Sequence, residues 1–274
     1  MAGSDVHVLD VGDVRFAIDA RIGGRVVSFR LDGVDALVGP DVDPKNYGST
    51  LWTSPQADWG WPPPASFDEA PYTVRAESGA VTMTGPACDR LGVRLVKRFS
   101  VDRARVCILL EYAVQNVGEV PLKCALWEVS RVPSRGLTFY ATGASSGGPL
   151  PVDHRSGGTW FAHDPGTLSE VGEKTYGDAG AGFVAHVLEG GRLLFVKSFV
   201  DLPPESQVPG EGEVEIYGND RYVEVEVQGP YATIAPGGWS DRWAVRWYLR
   251  TIPSTVTPSL GNPDLLELAA SIAG

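Results

Sequence analysis

The chain has 274 residues, a formal net charge of −11 and a pI near 4.8. A surface of that sign repels phosphate backbones, so no nucleic-acid partner is expected. No run of about 18 apolar residues offers a membrane span, so no membrane partner is expected either. Hydrophobic residues make up 43% of the chain, too many for a disordered protein and enough for a sizeable core.

The N-terminus, Met-Ala-Gly-Ser-Asp-Val-His, has neither the basic nor the apolar part of a secretory signal. Alternating apolar and polar residues then predict strands over 14–18, 24–31, 72–76, 80–84, 93–101, 105–115 and 122–132. The same pattern predicts strands over 182–188, 192–199, 214–217, 221–228, 231–234 and 242–250. The 33 glycines and 21 prolines are spread between these runs as turn residues, the punctuation of an all-β protein. Thirteen strands do not make one comfortable flat sheet, so a large two-sheet sandwich is expected. No linker or charge run divides residues 1–274, which reads as one domain. Residues 141–174, rich in Gly, Pro, Ser and His, read as a long excursion over one face. One helix is expected over 262–273, opened by Asn262 as a cap and Pro263 in the first turn. Cys88, Cys107 and Cys124 are odd in number and widely spaced, which suits reduced, buried thiols and a cytoplasmic location.

Four stretches could carry chemistry. In 51–64, Trp52, Trp59 and Trp61 are followed by three prolines. Indoles can stack on the C–H faces of a sugar and donate one N–H bond, or they can pin a loop to the core. In 125–131, Trp127 and Arg131 share one strand face and Glu128 the other. A Glu in apolar surroundings needs a partner, and that partner is a ligand or an ion pair within the fold. Lys197 interrupts the apolar Leu193–Phe199 run and either anchors a polar substrate group or reaches for water. In 221–228, Tyr222, Glu224, Glu226 and Gln228 share a face opposite Val223, Val225 and Val227. Two such carboxylates either decorate a solvated strand or raise each other toward the range of a general acid or base. His154 and His163 lie in the Gly/Ser-rich excursion and are candidate acids. No His, Cys or acidic spacing suggests a metal site, and no nucleotide or cofactor fingerprint is present.

The order of several motifs resembles the galactose mutarotase-like (aldose 1-epimerase-like) superfamily, and within it a bacterial branch. They are Ile22-Gly-Gly-Arg25, Leu51-Trp52 with Trp59 to Pro63, and Gln115-Asn116-Val-Gly118 before Trp127-Glu128. Leu194-Phe195-Val-Lys197 follows, then Tyr222-Val-Glu-Val-Glu226 before Ile234-Ala-Pro-Gly237 and the run from Trp243 to Tyr248. The resemblance runs from about Val11 to Pro253. It implies a β-supersandwich with a sugar site on the concave face of one sheet. It also implies an isomerase in which a late glutamate is the base and a histidine donates to the sugar's ring oxygen. Glu224 or Glu226 stands at the place of that glutamate, with Glu224 preferred. The segment that carries the family's histidine reads Cys124-Ala-Leu-Trp-Glu-Val here, so the acid would be His154, His163 or another donor. The expected ligand is a small carbohydrate or glycoside, met by Arg25, Trp52, Trp59, Trp61, Trp127, Glu128 and Lys197. Two alternatives stay open: a non-catalytic carbohydrate-binding or sensing module, and lyase or hydrolase chemistry on a sugar derivative.

Overall fold

The structure, a computed structural model, describes residues 5–188 and 190–274, with Ser145 and Ser146 described by backbone alone. Two antiparallel sheets account for most of it. The first runs from Val6–Val11 through Val14–Asp19, Arg25–Leu31, Ser49–Ser54, Leu122–Pro133, Tyr222–Gln228 and Val214–Gly218 to Glu173–Ala179. The second runs from Thr73–Glu77 through Ala80–Thr84, Val93–Asp102, Cys107–Asn116, Trp243–Thr251 and Leu193–Ser198 to Phe183–Val187. The strand Leu137–Gly147 belongs to both. Its first residues pair with Phe183–Val187 and Gly158–Ala162 in the second sheet, and its last with Glu173–Ala179 in the first.

The sheets face each other across a core in which strand parity decides what is buried. Val223, Val225 and Val227 turn inward and are at most 1% exposed, which leaves Glu224 and Glu226 on the outer face. Phe16 and Phe29 of the first sheet meet Phe195 and Trp247 of the second. Their ring centroids lie 5.4 Å apart for Phe29 and Phe195 and 5.7 Å for Phe16 and Trp247, edge to face. The helix Pro263–Ala273 is capped by Asn262, whose side chain accepts from the Asp264 N–H at 3.0 Å. It buries Leu265 and Ala269 against the second sheet. The expected all-β sandwich with a short C-terminal helix is therefore the fold observed. No helix among the described residues is long and apolar enough to cross a membrane.

The 141–174 excursion is corrected. It contains Asp153–Arg155, Gly158–Ala162, the end of Leu137–Gly147 and the start of Glu173–Ala179. Its alternation is hidden because large rings, from a neighbouring strand at Gly177 and from the same strand at Gly158, fill the space of absent side chains. A Cβ at Gly177 would lie 2.0 Å from Tyr140 Oη, and one at Gly158 2.7 Å from Trp160 Nε1. Nor is 51–64 all loop. Ser49–Ser54 is a central strand buried on both faces, which is why it shows no alternation.

Candidate functional site

On the outer face of the first sheet, Trp52 and Trp127 sit opposite each other on paired strands, their rings edge to face at 5.1 Å. Trp61, on the loop that follows, meets Trp52 at 5.9 Å and stays 59% exposed. These indoles, with Asn46, Gln56, Lys174, Tyr217, Tyr222 and Glu224, line a cleft of about 310 Å³. Trp59 lies behind this wall, buried, its Nε1 donating to Thr53 O at 2.7 Å. Asp68 holds Trp52 by accepting from its Nε1 at 2.9 Å.

Glu224 stands directly across the sheet from Arg131. Its Oε1 accepts from Arg131 Nε at 2.8 Å, and its other oxygen makes no hydrogen bond within the described protein. The guanidinium is wholly buried, donates through Nη1 to Thr50 Oγ1 at 2.9 Å and lies 5.1 Å from the Trp52 ring. Burial works against its charge, but Glu224 and the more distant Asp68 outweigh that and hold its pKa up. Burial and the charge of Glu224 also push Tyr222 above the usual phenol range.

Glu226, two residues on, is fully buried beneath the cleft. Its Oε2 accepts from Trp127 Nε1 at 2.7 Å and from Lys174 Nζ at 2.8 Å. Lys174 also donates to Glu215 Oε2 at 2.6 Å, and its ammonium lies 4.6 Å from the Trp127 ring. Burial works to lower the Lys174 pKa, but Glu226 and Glu215 together raise it.

The other candidates stand elsewhere. Glu128 is adjacent to Trp127 in the chain and so points the opposite way, into the core. There it takes Tyr112 Oη at 2.6 Å, Trp247 Nε1 at 3.0 Å and Lys197 Nζ at 2.9 Å. Lys197 is buried in the second sheet and also donates to Val225 O at 2.6 Å, so this ion pair joins the two layers. Arg25 is buried, donating to Lys45 O at 2.7 Å with its guanidinium 4.5 Å from the Tyr47 ring. His154 is exposed in the second sheet, its Nδ1 3.0 Å from Thr159 Oγ1. His163 is buried, accepting from Arg135 N at Nδ1 and donating from Nε2 to Asn219 O at 2.6 Å. Neither histidine lines the cleft.

No protein-family model matches the chain, and no curated protein does. Solved structures do. A galactose mutarotase-like protein from Lactobacillus casei matches with a TM-score of 0.63 at 11% identity, covering 89% of this chain and all of that one. A galactose mutarotase related enzyme from Lactobacillus acidophilus matches with a TM-score of 0.61 at 8% identity, covering 93% and 100%. A galactose mutarotase-like protein from Clostridium acetobutylicum matches with a TM-score of 0.59 at 10% identity, covering 90% and 95%. The chain has the galactose mutarotase-like fold.

Within that fold, the chain builds its cleft from residues that the sequence only partly announced. Lys174 was hidden in a stretch with little apolar alternation. Glu215 and Tyr217 could have been found from the alternation of Glu213-Val-Glu-Ile-Tyr217, which puts them on the face of Glu224. Among the described residues, Asp178, Asp201 and Glu213 bring carboxylate oxygens within 4.8 Å of one another. Both Asp178 oxygens already accept, from Gln207 Nε2 and Ala144 N, and both Glu213 oxygens from Ala179 N and Leu202 N. That set anchors loops to the sheet edge.

Proposed function

We propose that the cleft binds a small cyclic carbohydrate and interconverts its anomers, with Glu224 as the base. One observation carries this reading: Glu224 lines the cleft with one oxygen held by Arg131 and the other unbonded, among three indoles and in a cleft that Lys174 also lines. A volume of about 310 Å³ lies at the small end of the roughly 300–1,000 Å³ of small-molecule sites, as suits a single sugar ring. Trp61, the exposed indole, offers a face to the apolar C–H side of such a ring against the buried Trp52 and Trp127, while Asn46 and Gln56 offer bonds to its hydroxyls.

Anomer exchange needs a base for the anomeric hydroxyl and a donor for the ring oxygen. Glu224 takes the hydroxyl proton. The C1 to ring-oxygen bond breaks, its electron pair goes to the ring oxygen, and that oxygen is protonated. Reclosure on the other face of C1 returns both protons. Lys174 is the charged donor on the cleft wall. The three free, buried cysteines support a reducing, cytoplasmic setting.

The test is NMR exchange spectroscopy of α and β anomers across a panel of aldoses, alongside binding followed by tryptophan fluorescence. Acceleration over buffer that is lost in Glu224→Gln, with binding kept, is expected. Saturable binding without acceleration of any sugar would make the protein a binding module. The placement of both candidate histidines outside the cleft is what favours that second reading.

A further inference from the structure

Beneath the cleft, Glu215 and Glu226 sit directly opposite each other on paired strands. A single ammonium, Lys174, serves both, at 2.6 and 2.8 Å. Both carboxyl groups are buried, and Lys174 is 20% exposed toward the cleft. Two carboxylates and one ammonium leave a net negative charge, and burying an uncompensated charge is costly. A second clue is at the atom level. Glu226 Oε1 is buried and meets no donor, whereas Oε2 takes two. A carboxylate oxygen in that position is relieved by carrying a proton. Glu215 and Glu226 face each other across paired strands and share the Lys174 ammonium, so a single proton held between them lowers the charge that must be buried.

We propose that Glu215, Glu226 and Lys174 form a proton relay under the cleft: the two carboxyl groups hold one proton between them, and Lys174 passes a proton to the ring oxygen of the bound sugar. The proposal rests on the acid/base reading of the cleft and names the acid which that reading requires. As the C1 to ring-oxygen bond breaks, the electron pair on the ring oxygen takes a proton from Lys174 Nζ. Nζ is reprotonated by Glu226, and Glu215 and Glu226 are then both ionised beside the restored ammonium. Glu224 meanwhile holds the proton of the anomeric hydroxyl. Reclosure reverses each transfer, so no proton is gained or lost.

The surroundings of the carboxyl pair favour the shared proton, while the same pair tightens the hold of Lys174 on its own, so transfer from Nζ depends on its replacement by Glu226. Burial, then the charges of Glu215 and Glu224, push Glu226 well above the carboxylate range, against the pull of Lys174. Burial also raises Glu215, again against Lys174. The charged and titratable groups facing the unit are Glu224 and Arg131 on the cleft floor, Glu211 through Gln228, Tyr176 and Tyr217 on the flanking strands, and Lys197 from the second sheet.

Carbon-13 NMR of the protein labelled at glutamate carboxyls tests the shared proton without any sugar. One carboxyl still protonated at pH 7 is expected, and its signal is lost in Glu226→Gln and in Glu215→Gln. Glu213, which burial also pushes up to about 8, is set aside with Glu213→Gln. Anomer exchange is expected to slow at least ten-fold in Glu226→Gln, which can still accept from Lys174 but has no proton to give. The alkaline limb of the pH profile should vanish with it. Lys174→Met should lose exchange as well, and if it does not fold the two glutamine variants still decide. A wild-type rate and pH profile in Glu226→Gln, or no glutamate beyond Glu213 protonated at pH 7, overturns the relay while leaving Glu224 in place. A shifted carboxyl in a protein that accelerates no sugar overturns the acid/base reading of the cleft, and the relay's catalytic role with it.

Discussion

Glu224→Gln and Arg131→Met, singly and together, test whether the cleft carboxylate is fixed by the guanidinium beside it. Arg131 is fully buried and Glu224 is 13% exposed, with Nε and Oε1 2.8 Å apart. Glutamine keeps an oxygen for Nε but removes the charge that offsets the burial of Arg131. Hydrogen bonds to charged groups are worth about 1.5–3 kcal/mol, so Glu224→Gln is expected to cost roughly 2 kcal/mol. The full penalty for an orphaned buried charge, about 3–5 kcal/mol, is not reached because the cleft admits water to this side of the pair. Arg131→Met leaves a carboxylate that can be hydrated from the cleft, and costs about the same through the lost bonds to Glu224 and Thr50. Together the two changes should cost about 1–2 kcal/mol less than their sum, since the second removes a group the first has already stranded. Urea unfolding followed by tryptophan fluorescence reads this as midpoint shifts at constant slope. If the costs add within about 0.5 kcal/mol, the pair is not coupled and the position of Glu224 is not set by Arg131.

Trp61→Ala should weaken sugar binding about five- to ten-fold, the worth of one aromatic contact, while changing stability by no more than about 0.5 kcal/mol, because the ring is mostly exposed. Isothermal titration and thermal unfolding of the same sample check both halves, and unchanged affinity would remove Trp61 from the site. Lys97 gives a pH signature: burial pulls its pKa down to about 7, with Asp68 acting in the other direction. The unfolded chain keeps that proton to about pH 10.4. Between these values the unfolded state binds more protons, so stability rises with pH by up to about 1.4 kcal/mol per pH unit. Urea midpoints from pH 7 to 10 should climb for the wild type relative to Lys97→Met, and parallel profiles would contradict the burial argument.

Much of the first sheet was legible because its central strands obey parity. Val223, Val225 and Val227 face the core, so Glu224 and Glu226 had to share the outer face, as they do. Parity also bears on Trp127 and Glu128, which as neighbours in one strand could not enter the same cleft. The distinction between Glu224 and Glu226 was not legible, because it depends on a strand 50 residues away by which Lys174 covers one and not the other. Ser49–Ser54 escaped notice for the opposite reason. Covered on both faces, it has no polar side to alternate with. The Gly-rich stretch around Gly158 and Gly177 was unreadable because its packing partners, Trp160 and Tyr140, fill the gaps that mark a strand elsewhere.

The strand Leu137–Gly147 is hydrogen-bonded into both layers along a single run of backbone. Sliding one layer over the other would tear that run at its middle, and the Lys197–Glu128 contact across the core would part with it. Shear is therefore closed to this molecule as a way of admitting a ligand. Entry falls to the rim, where the exposed Trp61 stands on a loop above the sheet floor. Sugar selectivity should accordingly follow changes in that rim loop and leave the sheet geometry untouched.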